Sequence, residues 1–216
     1  MIDTREKAVL CYGDSNTWGY VPLTGARLPR AERWPGILQN LLGEPYYVIE
    51  EGMNGRSTAW DEPFRDGRNA RTTLLSTLES HAPLTLVILM LGTNDLKHHL
   101  NVSAHESSRG IAALMQIIQK SGTGPDKSPP RVLVVAPPQF GKLSELMTHH
   151  FDGSVEKSAD LPRYYGQACV ELGCNFFNTN DVVTVGVDGI HLNSAGHRKL
   201  AETLAPIVRE LVKDTA

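Results

Sequence analysis

Four short stretches hold residue types suited to acyl transfer. They are Gly13-Asp14-Ser15-Asn16-Thr17, Glu51-Gly52-Met53-Asn54-Gly55-Arg56-Ser57-Thr58, Gly92-Thr93-Asn94-Asp95 and Asp188-Gly189-Ile190-His191. Attack on a carbonyl by a hydroxyl needs a base to take the proton, a carboxylate that fixes the base's tautomer, and donors for the oxyanion. Ser15 supplies the hydroxyl, His191 the base and Asp188 the carboxylate. The Asn94 amide and main-chain N–H groups in the Gly55 turn are the candidate donors. A single Gly-Asp-Ser is a weak signal, because Asp and Ser often occupy turns for local hydrogen bonds. Asp-x-x-His is weak too: it occurs at Asp188/His191 and again at Asp95/His98, and both pairs follow strand-like runs. The first pair is favoured by its Gly-containing loop ahead of a helical segment and by Ile190 and Leu192 on either side of the histidine. Asp95 is expected to hold its own loop or cap a helix, and Asp14 to organise the loop before Ser15.

These stretches need a frame that brings them together. Continuous apolar runs at 8–12, 46–50, 84–91, 132–136 and 175–178 read as strands covered on both faces. Helical segments are expected at 33–42, where Pro35 suits a first turn, and at 71–80. Ser103-Ala-His-Glu106 has capping-box spacing ahead of the periodic 111–118, and further helices are expected at 155–172 and 194–213. Strand and helix alternate about five times, which predicts an α/β doubly wound parallel sheet. Ligands bind beyond the carboxyl ends of the strands in such sheets, which is where the four stretches fall. The low-complexity patch 121–130 is too short for a linker, so 1–216 reads as a single domain. Two irregular stretches, 60–70 and 137–153, are candidates for lids or subunit contacts.

Composition excludes several classes. The 216 residues carry 21 Lys+Arg against 24 Asp+Glu, net −3, which argues against a nucleic-acid binder. A chain of this size buries roughly 70% of its surface on folding, enough for a core without metal or disulfide staples. The three cysteines, Cys11, Cys169 and Cys174, have no CxxC spacing. His98-His99 and His149-His150 lack HExxH spacing, so neither metal nor cofactor is expected, and these histidines are read as solvent-facing. No run is long enough to span a membrane, and the apolar segment near the start is too short for a signal peptide, so a soluble, cytoplasmic protein is expected. A P-loop lacks its lysine between Gly13 and Gly19, a G-x-G-x-x-G is missing after the first strand, and Thr17 replaces the second glycine of a Gly-x-Ser-x-Gly elbow.

Taken in order, Gly-Asp-Ser, the Gly55 turn, Gly-Thr-Asn-Asp and Asp-Gly-Ile-His resemble the four blocks of the SGNH (GDSL-type) hydrolase family. The surrounding words, Ser15 to Tyr20, Leu89 to Asp95 and Val187 to His191, are most similar to its bacterial arylesterase and perhydrolase branch. The resemblance implies a three-layer, flavodoxin-like fold on a five-stranded parallel sheet. It implies Ser15, Asp188 and His191 as the triad, and the Ser15 and Gly55 amides with the Asn94 side chain as the oxyanion hole. Gly52 is the rival to Gly55, which is favoured because Arg56-Ser57-Thr58 follows it. The implied activity is hydrolysis of short-chain acyl esters of aryl or alkyl alcohols through an acyl-enzyme, with transesterification and perhydrolysis where another nucleophile replaces water. A carbohydrate acetylesterase or acyl-thioester hydrolase would reuse the same triad. A non-catalytic binding module on the same fold is the alternative of another class. The expected partner is a small-molecule ester, with no nucleic acid or membrane, and homo-oligomers are common in this branch. Asn16 and Trp18 beyond the nucleophile, and Ile190 and Leu192 around the base, are the candidate substrate pocket, with Tyr20, Trp34 and Phe151 as further aromatic walls. Asn16 stands where leucine commonly follows the nucleophile. Arg56 is a candidate for substrate contact or for a structural ion pair.

Overall fold

The computed structural model describes residues 6–213. Strands β1 (Lys7–Gly13), β2 (Tyr46–Gly52), β3 (Leu86–Met90), β4 (Arg131–Ala136) and β5 (Asn175–Asn178) form one sheet in the order β2-β1-β3-β4-β5. Every neighbouring pair is parallel. Helices run between the strands as α1 (Ser15–Trp18), α2 (Trp34–Leu42), α3 (Ala70–Ser80), α4 (Ala104–Lys120), α5 (Glu145–Phe151), α6 (Val155–Leu172) and α7 (Ser194–Leu211).

The strand sequences explain the three layers. All five residues of β3, Leu-Val-Ile-Leu-Met, are buried, because alternate side chains enter two different cores. Val87 and Leu89 join Leu10 and Tyr12 under α3, α4 and α6, through Leu74, Leu78, Ile111, Leu114, Leu161 and Tyr165. Leu86, Ile88 and Met90 join Val9 and Cys11 under α2 and α7, through Trp34, Leu38, Leu200 and Leu204. This is the doubly wound sheet expected from alternation of strand and helix.

Several boundaries differ from the sequence expectation for local reasons. The capping box at Ser103 closes with Glu106, so α4 begins at Ala104 rather than at the first apolar repeat. The stretch 137–153 is not irregular throughout: α5 forms within it, with the Ser144 hydroxyl accepting from the Met147 amide. Strands β1 and β2 run on to Gly13 and Gly52, which lie opposite each other, while Gly13 also faces Met90 of β3. The three strands therefore end level, and the loops carrying Ser15, Gly55 and Asn94 leave the sheet at one height. The direction of chain progression reverses between β1 and β3, so the crevice beyond their ends is the topological switch point.

Candidate active site

Ser15 opens α1 directly after β1. The Asp14 side chain caps this short helix by accepting from the Asn16 amide at 2.9 Å, and Gly19, with φ 87°, ends it. Burial pushes the Asp14 carboxyl up to about 6, against the Asn16 amide, His191 and the Thr93 hydroxyl, which favour its charged form. The other half of the site lies in a tight loop before α7. Val185 bridges Leu192 there, the Gly186 amide donates to the His191 carbonyl at 2.6 Å, and Gly189 turns the chain with φ 80°.

This loop aims Asp188 and His191 at Ser15. Asp188 Oδ1 accepts from the Ile190 and His191 amides, each at 3.0 Å, and Oδ2 lies 2.6 Å from His191 Nδ1. A carboxylate oxygen only accepts, so Nδ1 carries the proton and Nε2 is left as the acceptor. His191 Nε2 lies 2.9 Å from Ser15 Oγ, across 176 residues of sequence. Burial pushes the Asp188 carboxyl up, but its hydrogen bonds to His191 and the main chain outweigh burial and hold it below the ordinary value. The Tyr20 ring packs on the imidazole with centroids 4.5 Å apart.

Opposite the histidine, the second and third loops converge. A turn over Met53–Arg56 closes with the Arg56 amide donating to the Met53 carbonyl at 3.1 Å, and places Gly55 at φ 81°. Asn94 donates through Nδ2 to the Arg56 carbonyl at 3.1 Å, leaving its second amide proton for the cleft. Among the described residues, neither the Ser15 nor the Gly55 main-chain N–H has an acceptor. Gly52 plays a different part: a Cβ there would lie 2.3 Å from the Trp18 nitrogen, so its bare backbone lets α1 pass against β2.

A buried carboxylate ties these loops together. Asp95 accepts from the Thr58 amide at 2.8 Å, the Thr58 hydroxyl at 2.6 Å and the Ser107 hydroxyl at 2.7 Å. Ser107 also meets the Tyr165 hydroxyl at 2.8 Å, which donates on to the Leu91 carbonyl. Burial pushes the Asp95 carboxyl up to about 6, the neighbouring Asp14 charge adds to the push, and the Thr58 and Ser107 hydrogen bonds counter it. Asp95 is thus turned away from His98, which is exposed, and the two make no hydrogen bond. Arg56 braces the same corner. Its guanidinium donates to the Gly13 and Glu51 carbonyls and lies over the Tyr12 ring at 4.0 Å, so carbonyls and a ring replace the expected ion pair.

The cavity outside these groups has a volume of about 230 Å³. Ser15, His191, Gly55 and Asn94 line it with Tyr20, Ile190 and Phe151. Of the four expected pocket residues, Ile190 alone lines it. Asn16 is buried beneath the site, where its Oδ1 accepts from the Leu192 amide at 2.9 Å and its Nδ2 donates to the Ile190 carbonyl at 3.4 Å. Leu192 points into the core under α7, and the Trp18 ring packs outside against the Arg27 guanidinium at 5.0 Å. Trp34 is likewise core rather than wall. The remaining wall, Asn54, Arg65, Thr93, Lys97, Met147 and His150, escaped the residue-by-residue reading. Arg65 and the Met147/His150 pair sit in the two irregular stretches, whose length was the available signal. Among the described residues, no group of three His, Cys, Asp or Glu side chains is arranged to hold a metal, and no helix is long and apolar enough to cross a membrane.

Comparison with known proteins bears on the fold and the family. The native aryl esterase of M. smegmatis superposes with a TM-score of 0.91 at 38% identity, covering 95% of this chain and 99% of that one. A carbohydrate acetylesterase family member from Sinorhizobium meliloti superposes with a TM-score of 0.90, also at 38% identity, over 95% of this chain and 99% of that one. An acetylxylan esterase of Xylanibacter ruminicola is 23% identical over 220 residues, covering 93% of this chain. The chain spans 43% of the length of that acetylxylan esterase. The model of the GDSL-like lipase/acylhydrolase family matches residues 11–199, from within β1 to within α7 and through all four loops at the sheet edge. The chain belongs to the GDSL-like lipase/acylhydrolase family.

Proposed function

We propose that this protein is a carboxylic ester hydrolase in which Ser15 is the nucleophile, His191 the general base and Asp188 its orienting partner. One observation carries the reading: Ser15 Oγ, His191 Nε2, His191 Nδ1 and Asp188 Oδ2 form an unbroken chain of 2.9 and 2.6 Å contacts at the wall of an open cleft. His191 takes the serine proton as Oγ bonds to the ester carbon. The developing oxyanion receives hydrogen bonds from the Ser15 and Gly55 amides and the Asn94 side chain. As the carbon–oxygen bond to the alcohol breaks, His191 returns its proton to the leaving oxygen. Water, deprotonated by the same imidazole, then releases the acid. An alcohol or hydrogen peroxide entering in place of water yields a new ester or a peracid.

The modest cavity favours short acyl groups, and the similarity to an aryl esterase supports aryl and simple alkyl esters as substrates. A second reading, a carbohydrate acetylesterase, is favoured by the polar side chains of Asn54 and Lys97 in the wall, which offer hydrogen bonds to sugar hydroxyls. Relative kcat/KM for 4-nitrophenyl acetate and acetylated xylose separates the two. Ser15→Ala tests the shared chemistry: kcat should fall by at least about 10³, as on removal of a triad nucleophile, and labelling by a fluorophosphonate should vanish. Near-normal turnover by the purified variant would overturn the assignment.

A further inference from the structure

The cleft mouth carries positive charge that the ester chemistry does not use. Arg65, exposed in the loop before α3, lines the same cavity as Ser15 and His191. Its side chain stands over the Gly55 turn: a Cβ on Gly55 would lie 3.3 Å from Arg65 Nη1. The same Cβ would lie 3.7 Å from Arg68 Nε, so two guanidinium groups share one glycine.

Neither has an acidic partner among the described residues. Arg68 donates from Nη1 to the Asp66 carbonyl and to the Met53 sulfur, and its Nε is buried without an acceptor. Among the described residues, no carboxylate forms an ion pair with Arg65 or Arg68. Two acids of the same loop, Glu62 and Asp61, are engaged elsewhere. Glu62 takes Lys97 at 2.5 Å and His99 at 2.9 Å, and Asp61 accepts from Asn69 at 3.0 Å. Lys97 therefore reaches the cavity already neutralised, while Arg65 does not. Burial and the neighbouring Arg65 charge both lower the Arg68 pKa, as expected where like charges crowd. A general excess of basic residues is not the cause, because the chain as a whole is net −3. An anion seated beside Arg65 would offset the repulsion and meet a guanidinium at the cavity wall that has no acceptor among the described residues.

We propose that this cleft prefers esters that carry a second, anionic group, met by Arg65 at the rim of the cavity. The inference rests on the esterase reading of the same site and names its substrate class: a carboxylate borne either on the acyl part or on the alcohol. An acyl carboxylate and an alcohol carboxylate would both be reached across so small a cavity, and the experiment distinguishes them.

The test compares kcat/KM of the parent chain, Arg65→Gln and Arg65→Lys on three esters. These are neutral 4-nitrophenyl acetate, the 4-nitrophenyl monoester of succinate (anionic acyl part) and 4-acetoxybenzoate (anionic alcohol part). The readout is each anionic-to-neutral ratio, which cancels any general loss of activity. One of the two ratios should fall about three- to tenfold in Arg65→Gln, as expected for one partly exposed charge contact. Arg65→Lys should retain most of that ratio, and raising salt should shrink the parent's preference. Identical ratios in the parent and Arg65→Gln in both arms overturn the inference and leave the esterase reading standing. Failure to cleave any of the three esters overturns the esterase reading, and the inference with it.

Discussion

Asn16→Ala separates two roles for the residue beside the nucleophile. Sequence position makes Asn16 a pocket residue; the structure makes it a strap between the nucleophile helix and the base loop. Its amide holds the Leu192 N–H at 2.9 Å and the Ile190 carbonyl at 3.4 Å, on the two sides of His191. Removing it leaves a buried amide donor unpaired, at a cost of about 1–3 kcal/mol, with a smaller loss from the longer contact. If the loop stays in place, that cost appears as lost stability. If the loop shifts to find water, His191 moves from Ser15, and a displacement near 1 Å lowers kcat by about 10²-fold. The expected result is a fall in stability of about 1–3 kcal/mol in urea unfolding, with kcat reduced roughly 10- to 100-fold. The kcat loss should be the same factor for 4-nitrophenyl acetate, butyrate and hexanoate, because a strap does not touch the acyl chain. A KM change that grows with chain length, with kcat for acetate within about twofold of the parent, would refute the strap and restore the pocket role.

Three further outcomes follow from other contacts. Asp95→Ala strips the acceptor from the Thr58 amide and from the Thr58 and Ser107 hydroxyls, and at about 1–3 kcal/mol for each buried donor left unpaired, urea unfolding should show a loss of about 3–5 kcal/mol, against less for Asp95→Asn; a loss under about 1 kcal/mol for the alanine would sink the clamp. His191→Ala should lower kcat by at least about 10³, whereas exposed His98→Ala should stay within about tenfold of the parent; the reverse order would move the base. His197 is buried in α7, accepts from the Trp34 amide, and is lowered by burial from 6.5 to about 4. Between those values the unfolded chain binds a proton that the folded one refuses, so its contribution is full above pH 6.5 and is lost as pH falls towards 4. The stability gap between the parent and His197→Asn should therefore shrink by about 2–3 kcal/mol from pH 7 to pH 4.5, and a constant gap would refute the buried neutral state. The difference between variants is the proper measure, because Asp14 and Asp95, raised to about 6, act oppositely: both favour the folded state as pH falls through that window.

Much of the frame was legible because it rests on local or patterned physics. Strands such as β3 must be apolar on both faces, so 84–91 betrays itself without knowledge of its partners. Capping chemistry is equally local: Ser103 and Glu106 meet within one turn of α4. The stretch 137–153 misled because α5 has only seven residues and buries little beyond Phe151, too brief a pattern for periodicity to register. Arg56 misled for another reason. Its charge is satisfied by carbonyls at the ends of β1 and β2, and carbonyls leave no trace in a sequence.

The sequence by itself determined the chemistry available: one Gly-Asp-Ser, an Asn after the third strand, and two Asp-x-x-His pairs, each at a strand end where loops of one sheet edge gather. Residue type, spacing and apolar runs are properties of the chain, so they survive without coordinates. The Gly-containing loop and the flanking Ile190 and Leu192 already favoured Asp188/His191; the tertiary structure added the geometry, aiming that pair at Ser15 and turning Asp95 inward onto Thr58 and Ser107. It also sent Asn16 and Leu192 inward and brought Arg65 over Gly55. The Ser15–His191 and Asn16–Leu192 contacts join segments far apart in sequence, set by strand order and by the level ends of β1, β2 and β3, whereas Arg65 folds back on Gly55 within the β2–α3 connection. No local pattern encodes that alignment.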